Sequence, residues 1–196
     1  GYFGCSPDLT VFGKVIAGGY PGAGGVGGKR EYMKYLGAGL DGAVKVKKAF
    51  CGGTLSANPL SCAAGYYTLE AIDRENACQK AGEMGDRITK GLNDIIAKRH
   101  LPFVAFNQGS ICHLETVGTL QFSIDWSKPW TIPGVLSATN ERKTEMTHMG
   151  AAYMAEGLVT LAGSRLYTSA AYTPEFIDDA LARFDNVFAN IAVKEN

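Results

Sequence analysis

No apolar run in this chain of 196 residues approaches the roughly 18 residues that would suggest a membrane span. No C-x-x-C pair occurs. The five cysteines (Cys5, Cys51, Cys62, Cys78, Cys112) are odd in number and widely spaced. They read as reduced thiols of a cytoplasmic protein, not as a disulfide or zinc framework. His100, His113 and His148 show no ligand spacing, so a metal centre is not expected. Neither charge sign is in excess: 19 Lys+Arg balance 19 Asp+Glu. The short basic clusters Lys29-Arg30 and Lys45-Val46-Lys47-Lys48 leave no nucleic-acid footprint. There is no internal repeat and no low-complexity tract, and with Gly1 in place of an initiator Met neither a signal peptide nor a transit segment is expected in these residues. The opening, Gly1 to Lys14, reads like the middle of a domain, so a fragment, a processed chain or one of two chains is expected.

What is present is an apolar content of 46%, enough for a sizeable core, and a glycine-rich first quarter. Short apolar pieces there alternate with turns, which suggests strands and tight loops near a site. Ser56, Asn58 and Pro59 form a helix start, a capping residue followed by proline in the first turn. The helix expected over Pro59–Ile72 carries Leu60, Ala64, Tyr67 and Ala71 at helical spacing. A second helix is predicted from Asn76 to Lys98, with Ala81, Met84, Ile88, Leu92, Ile95 and Ile96 on one face. Basic residues and then Pro102 end it. Short strands are expected at Phe103–Phe106, Ile111–Thr116 and Thr119–Ile124, with turns at Asn107-Gln108-Gly109 and Gly118. Ser127–Gly134 reads as a loop. A helix over Ala138–Leu158 follows, with Met146, Met149, Ala152 and Tyr153 inward, then an extended piece at Arg165–Ser169. Thr173 caps a last helix from Pro174 to about Val193, striped by Ile177, Leu181, Phe184, Phe188 and Ile191. The change of pattern places a boundary within residues 73–100.

Leu9–Gly28 contains one charge, Lys14, flanked by Val11, Phe12, Val15 and Ile16. A desolvated lysine loses preference for the ammonium form and becomes a better nucleophile, as Schiff-base chemistry requires. On environment alone a second reading stands beside it, a surface lysine whose stem lies along apolar neighbours. Gly22-Ala23-Gly24-Gly25-Val26-Gly27 spells the dinucleotide pattern G-x-G-x-x-G. The buried strand that should precede it is replaced by Gly18-Gly19-Tyr20-Pro21, so the context is wrong. At Cys51–Gly65 a Gly-Gly-Thr turn opens onto a helix start. Free N–H groups and the Thr54 hydroxyl there suit a phosphate, although any capped helix begins similarly. Arg165 could clamp a carboxylate bidentately or hold a structural ion pair. The methionines Met146 and Met149 are simplest as core packing.

Taken together, Asp8-Leu9-Thr10-Val11-Phe12-Gly13-Lys14-Val15-Ile16-Ala17-Gly18-Gly19-Tyr20-Pro21 and Gly53-Thr54-Leu55-Ser56-Ala57-Asn58-Pro59, with Ala63-Ala64, resemble the lysine and phosphate-contact motifs of class III pyridoxal-phosphate aminotransferases. The resemblance spans almost the whole chain. It implies an α/β fold of the fold-type I transferases. Residues 1–75 would be the C-terminal part of the large cofactor-binding domain, 76–100 a connecting helix and 101–196 a small α+β domain. It implies pyridoxal 5'-phosphate held by Lys14 as a Schiff base. The displaced Lys14 amine would then move the proton between substrate carbon and cofactor. Thr54, with Gly53, would contact the cofactor phosphate of the neighbouring subunit of a homodimer. The substrates implied are a small-molecule amino donor and a keto acceptor, with no nucleic acid and no membrane.

The stretch Ser169–Asp178 resembles that of glutamate-1-semialdehyde aminomutases and β-amino-acid aminotransferases, with Tyr172 where a histidine is expected. An aminomutase-like isomerase is therefore the alternative activity. In the family the phosphate cup, the ring-stacking aromatic and the aspartate at the pyridine nitrogen lie upstream of the lysine. They would have to come from an N-terminal half supplied as a separate or missing segment. A non-catalytic subunit that assembles with such a partner is the remaining reading.

Overall fold

The computed structural model describes residues 3–21, 24–36, 49, 52–116, 127–128, 130 and 132–191. They fall into two compact units, Gly1–Glu75 and Asn76–Asn196. The first unit begins with a hairpin. Strand β1 (Leu9–Phe12) pairs antiparallel with β2 (Gly25–Gly28), in a register that sets Leu9 opposite Gly28 and Phe12 opposite Gly25. Between them lies a short 3-10 helix, Lys14–Ala17. Gly25–Gly27 of the dinucleotide-like pattern thus belong to a hairpin strand, while Gly22 and Ala23 lie outside the described residues. One short turn of helix, α1 (Arg30–Met33), and the longer α2 (Pro59–Arg74) follow among the described residues of the unit.

Helix α2 starts where its capping residue requires. The Asn58 side chain accepts from the Ser61 N–H at 2.9 Å and Pro59 occupies the first turn. Its packed face is not the row of apolar residues at helical spacing. Leu60 and Tyr67 are exposed, at 62% and 68%, whereas Ser61 and Gly65 are buried. The cause is how closely the 3-10 helix approaches. A Cβ on Gly65 would overlap the Ile16 carbonyl oxygen, and one on Gly18 would lie 2.6 Å from the Ala64 backbone. Only small side chains fit at such a distance.

The second unit packs α3 (Ala77–Lys98) and α5 (Pro174–Ala189) on one face of an antiparallel sheet ordered β3 (Val104–Gln108), β4 (Ile111–Glu115), β5 (Arg165–Tyr167). Alternation along the strands turns Ala105, Cys112, Leu114 and Leu166 inward. Ile88, Leu92 and Ile96 of α3 and Ile177, Phe184 and Phe188 of α5 meet them, as their helical spacing predicts. Tyr153, fully buried on α4 (Ile132–Ala155), packs edge-on to Phe184 with ring centroids 5.0 Å apart. Burial pushes its hydroxyl pKa up.

Several boundaries depart from the sequence expectation. β3 runs on through Asn107 and Gln108, so the turn is confined to Gly109 and Ser110, with Gly109 at φ 56°. Helix α4 begins at Ile132, inside the segment expected to be a loop, because a proline such as Pro133 is tolerated in a first helical turn. It ends at Ala155 rather than Leu158 in a Schellman motif. There the Gly157 N–H donates to the Met154 carbonyl at 3.0 Å and the Leu158 N–H to the Tyr153 carbonyl at 2.8 Å. Helix α5 stops at Ala189, where Asn190 donates its side-chain amide to the Asn186 carbonyl at 2.8 Å. The strand expected at Thr119–Ile124, the basic cluster Lys45–Lys48 and Cys51 lie outside the described residues.

The Arg99 guanidinium donates to the Asp185 carboxylate, and Lys98 stands 3.7 Å away. Arg99 above all holds the Asp185 carboxyl below the usual carboxylate range. A depressed folded-state pKa adds stability that is present above the ordinary carboxylate value and lost as pH falls through the folded one. Asp185→Asn therefore flattens the acid limb of stability below about pH 4, read as the denaturation midpoint against pH. An acid limb identical to that of the parent protein contradicts this.

Candidate active site

Lys14 follows β1 and opens the 3-10 helix. Its φ of 58° lies in the left-handed region that L residues rarely adopt. Such a conformation persists only where the surroundings over-determine it. Here they do so through α2, against which Ile16 and Gly18 are packed. Gly18 and Gly19, at φ 58° and 85°, then turn the chain back. Within the described residues Lys14 takes the second of the two settings open to it, a surface lysine rather than a desolvated one. Lys14 is exposed, as are Val11 at 81% and Val15 at 54%, because the two-stranded hairpin has no layer of described residues over it. The amine makes no ion pair with another described residue. Asp8, six residues away in sequence, pairs instead with Lys29.

Thr54 sits in the turn that leads into α2. The Ser56 N–H donates to the Gly53 carbonyl at 3.0 Å, and Ala57 takes φ 51°. Gly53 and Thr54 are exposed, and the Thr54 hydroxyl has no hydrogen-bond partner among the described residues. Pyridoxal phosphate asks for two kinds of group, a primary amine for its aldehyde and donors for its phosphate. Lys14 and the Gly53-Thr54 turn supply both, and neither is engaged in an ion pair or side-chain hydrogen bond with another described residue, so the residues present fit the group.

In the second unit Arg165 lies on β5 opposite His113, exposed and outside the core. A cavity of ≈ 410 Å³ has Leu166, Tyr167, Thr168 and Tyr172 among its walls, and Arg165 is not one of them. Tyr172 stacks on Phe176 with centroids 4.5 Å apart. No group of His, Cys, Asp and Glu among the described residues could hold a metal ion, and no described helix is long and apolar enough to cross a membrane.

Two residues of the first unit escaped the sequence reading, Ser61 and Gly65. Their four-residue spacing puts them on one helix face. The signal that could have revealed that face is the smallness of both side chains beside a glycine-rich partner segment.

The architecture is that of the fold-type I pyridoxal-phosphate-dependent transaminases. An omega-transaminase from Sphaerobacter thermophilus superposes with a TM-score of 0.75 over 96% of this chain and 40% of its own, at 20% identity. Residues 1–164 match the class-III aminotransferase family, and the chain belongs to that family. Curated relatives include glutamate-1-semialdehyde 2,1-aminomutase 1 of Staphylococcus epidermidis, 40% identical over 111 residues, which are 57% of this chain and 24% of that protein. The glutamate-1-semialdehyde 2,1-aminomutase of Desulforapulum autotrophicum is 31% identical, covering 97% of this chain and 41% of its own length. The chain thus spans less than half the length of these relatives.

Proposed function

We propose that Lys14 is the amine that bonds to the aldehyde of pyridoxal phosphate in an enzyme moving an amino group between an amino acid or amine and a keto acid. The observation that carries this reading is the setting of Lys14. It is a lysine without an ion pair among the described residues, in a left-handed backbone position, within the segment that most closely follows the family's lysine motif. When bound, the cofactor supplies an electron sink for the carbon next to the substrate nitrogen. The chain's own residues do the rest. Lys14 holds the cofactor between turnovers, and its amine, once released, takes and returns the proton at the substrate carbon. Thr54 donates its hydroxyl to the cofactor phosphate, and Gly53 leaves room for that oxyanion. We assign this phosphate contact to the neighbouring subunit of a homodimer. Residues 1–75 then belong to the large domain, 76–100 to a connecting helix and 101–196 to the small domain. Arg165 is the candidate for the substrate carboxylate.

Thr54→Ala raises the dissociation constant for pyridoxal phosphate about tenfold, the worth of one hydrogen bond to a charged group. An unchanged constant, measured by visible absorbance titration, removes Thr54 from the phosphate site.

A second reading, an isomerase that returns the amine to the same substrate, is favoured by the names of the curated relatives. The position of Tyr172 in place of a histidine speaks for transfer. The two separate on acceptor dependence. A transaminase turns over only with an added keto acid, whereas an isomerase needs one substrate.

A further inference from the structure

We propose that Ser61 is a positioning residue for Lys14, holding the segment from Lys14 to Pro21 in place from the same helix cap that shapes the Thr54 turn. The inference rests on the reading of Lys14 as the cofactor lysine. Ser61 is only 2% exposed, and its hydroxyl donates to the Pro21 carbonyl at 2.8 Å across 40 positions of sequence. The Asn58 amide faces it from the cap. Its Nδ2 donates to the Ser61 Oγ at 3.0 Å and to the Leu55 carbonyl at 3.0 Å, while its Oδ1 accepts from the Ser61 N–H. Every hydrogen-bonding atom of the Asn58 side chain is thereby used, and the Ser61 hydroxyl both gives and receives. The series Leu55, Asn58, Ser61, Pro21 joins the turn that displays Thr54 to the end of the segment that begins at Lys14.

The other contacts between that segment and α2 are steric. Ile16 abuts Gly65 and Gly18 abuts Ala64. Steric contacts set how near the segment lies, but they do not set its position along the helix. A directional hydrogen bond does, and the strained backbone of Lys14 needs that constraint.

The test compares Ser61→Ala and Ser61→Cys with the parent. It uses the protein expressed from the complete reading frame that contains this chain. Three quantities are read: the dissociation constant for pyridoxal phosphate, the pH midpoint of the visible band, and hydrogen exchange of amides 14–21 without cofactor. Both variants are expected to raise the constant about tenfold, as loss of one buried hydrogen bond does. They also move the pH midpoint and speed exchange in 14–21 while leaving α2 protected. Alanine is smaller than serine and cysteine, with its bulkier sulfur, is larger, so an effect shared by both variants reports the lost bond rather than a change in packing volume. Unchanged constant, midpoint and exchange in both variants overturn the proposal, as does a loss of thermal stability with the constant and midpoint unmoved. A parent protein that gains no visible band with pyridoxal phosphate fails the Lys14 reading itself. That result is seen before any variant is compared, and the proposal falls with it.

Discussion

Replacing Lys14 by alanine lowers amino-group turnover at least about a hundredfold, the low end of what removal of a positioned general base costs. The loss is larger if holding the cofactor is also impaired, since the same amine serves both tasks. Folding should hardly change. Lys14 is exposed, makes no ion pair with a described residue, and lies at φ 58°, where alanine meets the same backbone strain. A surface substitution of this kind shifts stability by about 0.5 kcal/mol or less. The expected result is therefore an inactive protein with the melting profile of its cofactor-free parent. Retained turnover would place the reacting amine elsewhere.

Gly65→Ala is the second large effect, and its sign is the informative part. At an exposed position within a helix, glycine to alanine stabilises by about 1 kcal/mol. At Gly65 the added methyl would overlap the Ile16 carbonyl oxygen, a backbone atom that cannot rotate away. Either α2 or the lysine-bearing turn must shift, and overpacking of this kind costs about 1–3 kcal/mol. The steric cost outweighs the propensity gain, so the denaturation midpoint falls. Because the displaced atoms belong to the 3-10 helix that begins at Lys14, cofactor retention falls with it. A stabilised Gly65→Ala protein with undiminished retention would contradict the packing described for the first unit.

The second unit was largely legible in the sequence because its helices announce themselves locally. Asn76 to Lys98 and Pro174 onward carry wide apolar stripes, and Thr173 caps α5 by accepting from the Phe176 N–H at 3.3 Å. Where expectation failed, tertiary context outweighed local pattern. Asn107 and Gln108 read as turn residues, yet pairing with Cys112 and Ile111 carries them into β3. Leu60, Ala64, Tyr67 and Ala71 share a helical spacing, yet the partner segment comes too near for large side chains, and the buried positions are Ser61 and Gly65. In the candidate site Lys14 and Thr54 stand out only through their resemblance to the family's motifs. Their surroundings were not legible in the sequence. The exposure of Val11 and Val15 depends on what covers a hairpin, and the Ser61–Pro21 bond joins positions that no local window contains.

The central claim is that Lys14 carries the cofactor, and borohydride reduction tests it most directly. Reduction fixes pyridoxal phosphate to whichever amine holds it, and peptide mass mapping then locates the modified residue. The expected result is a yellow protein whose cofactor, once reduced, is found on the peptide containing Lys14. Cofactor fixed to a different lysine, or a protein that takes up none, would contradict it.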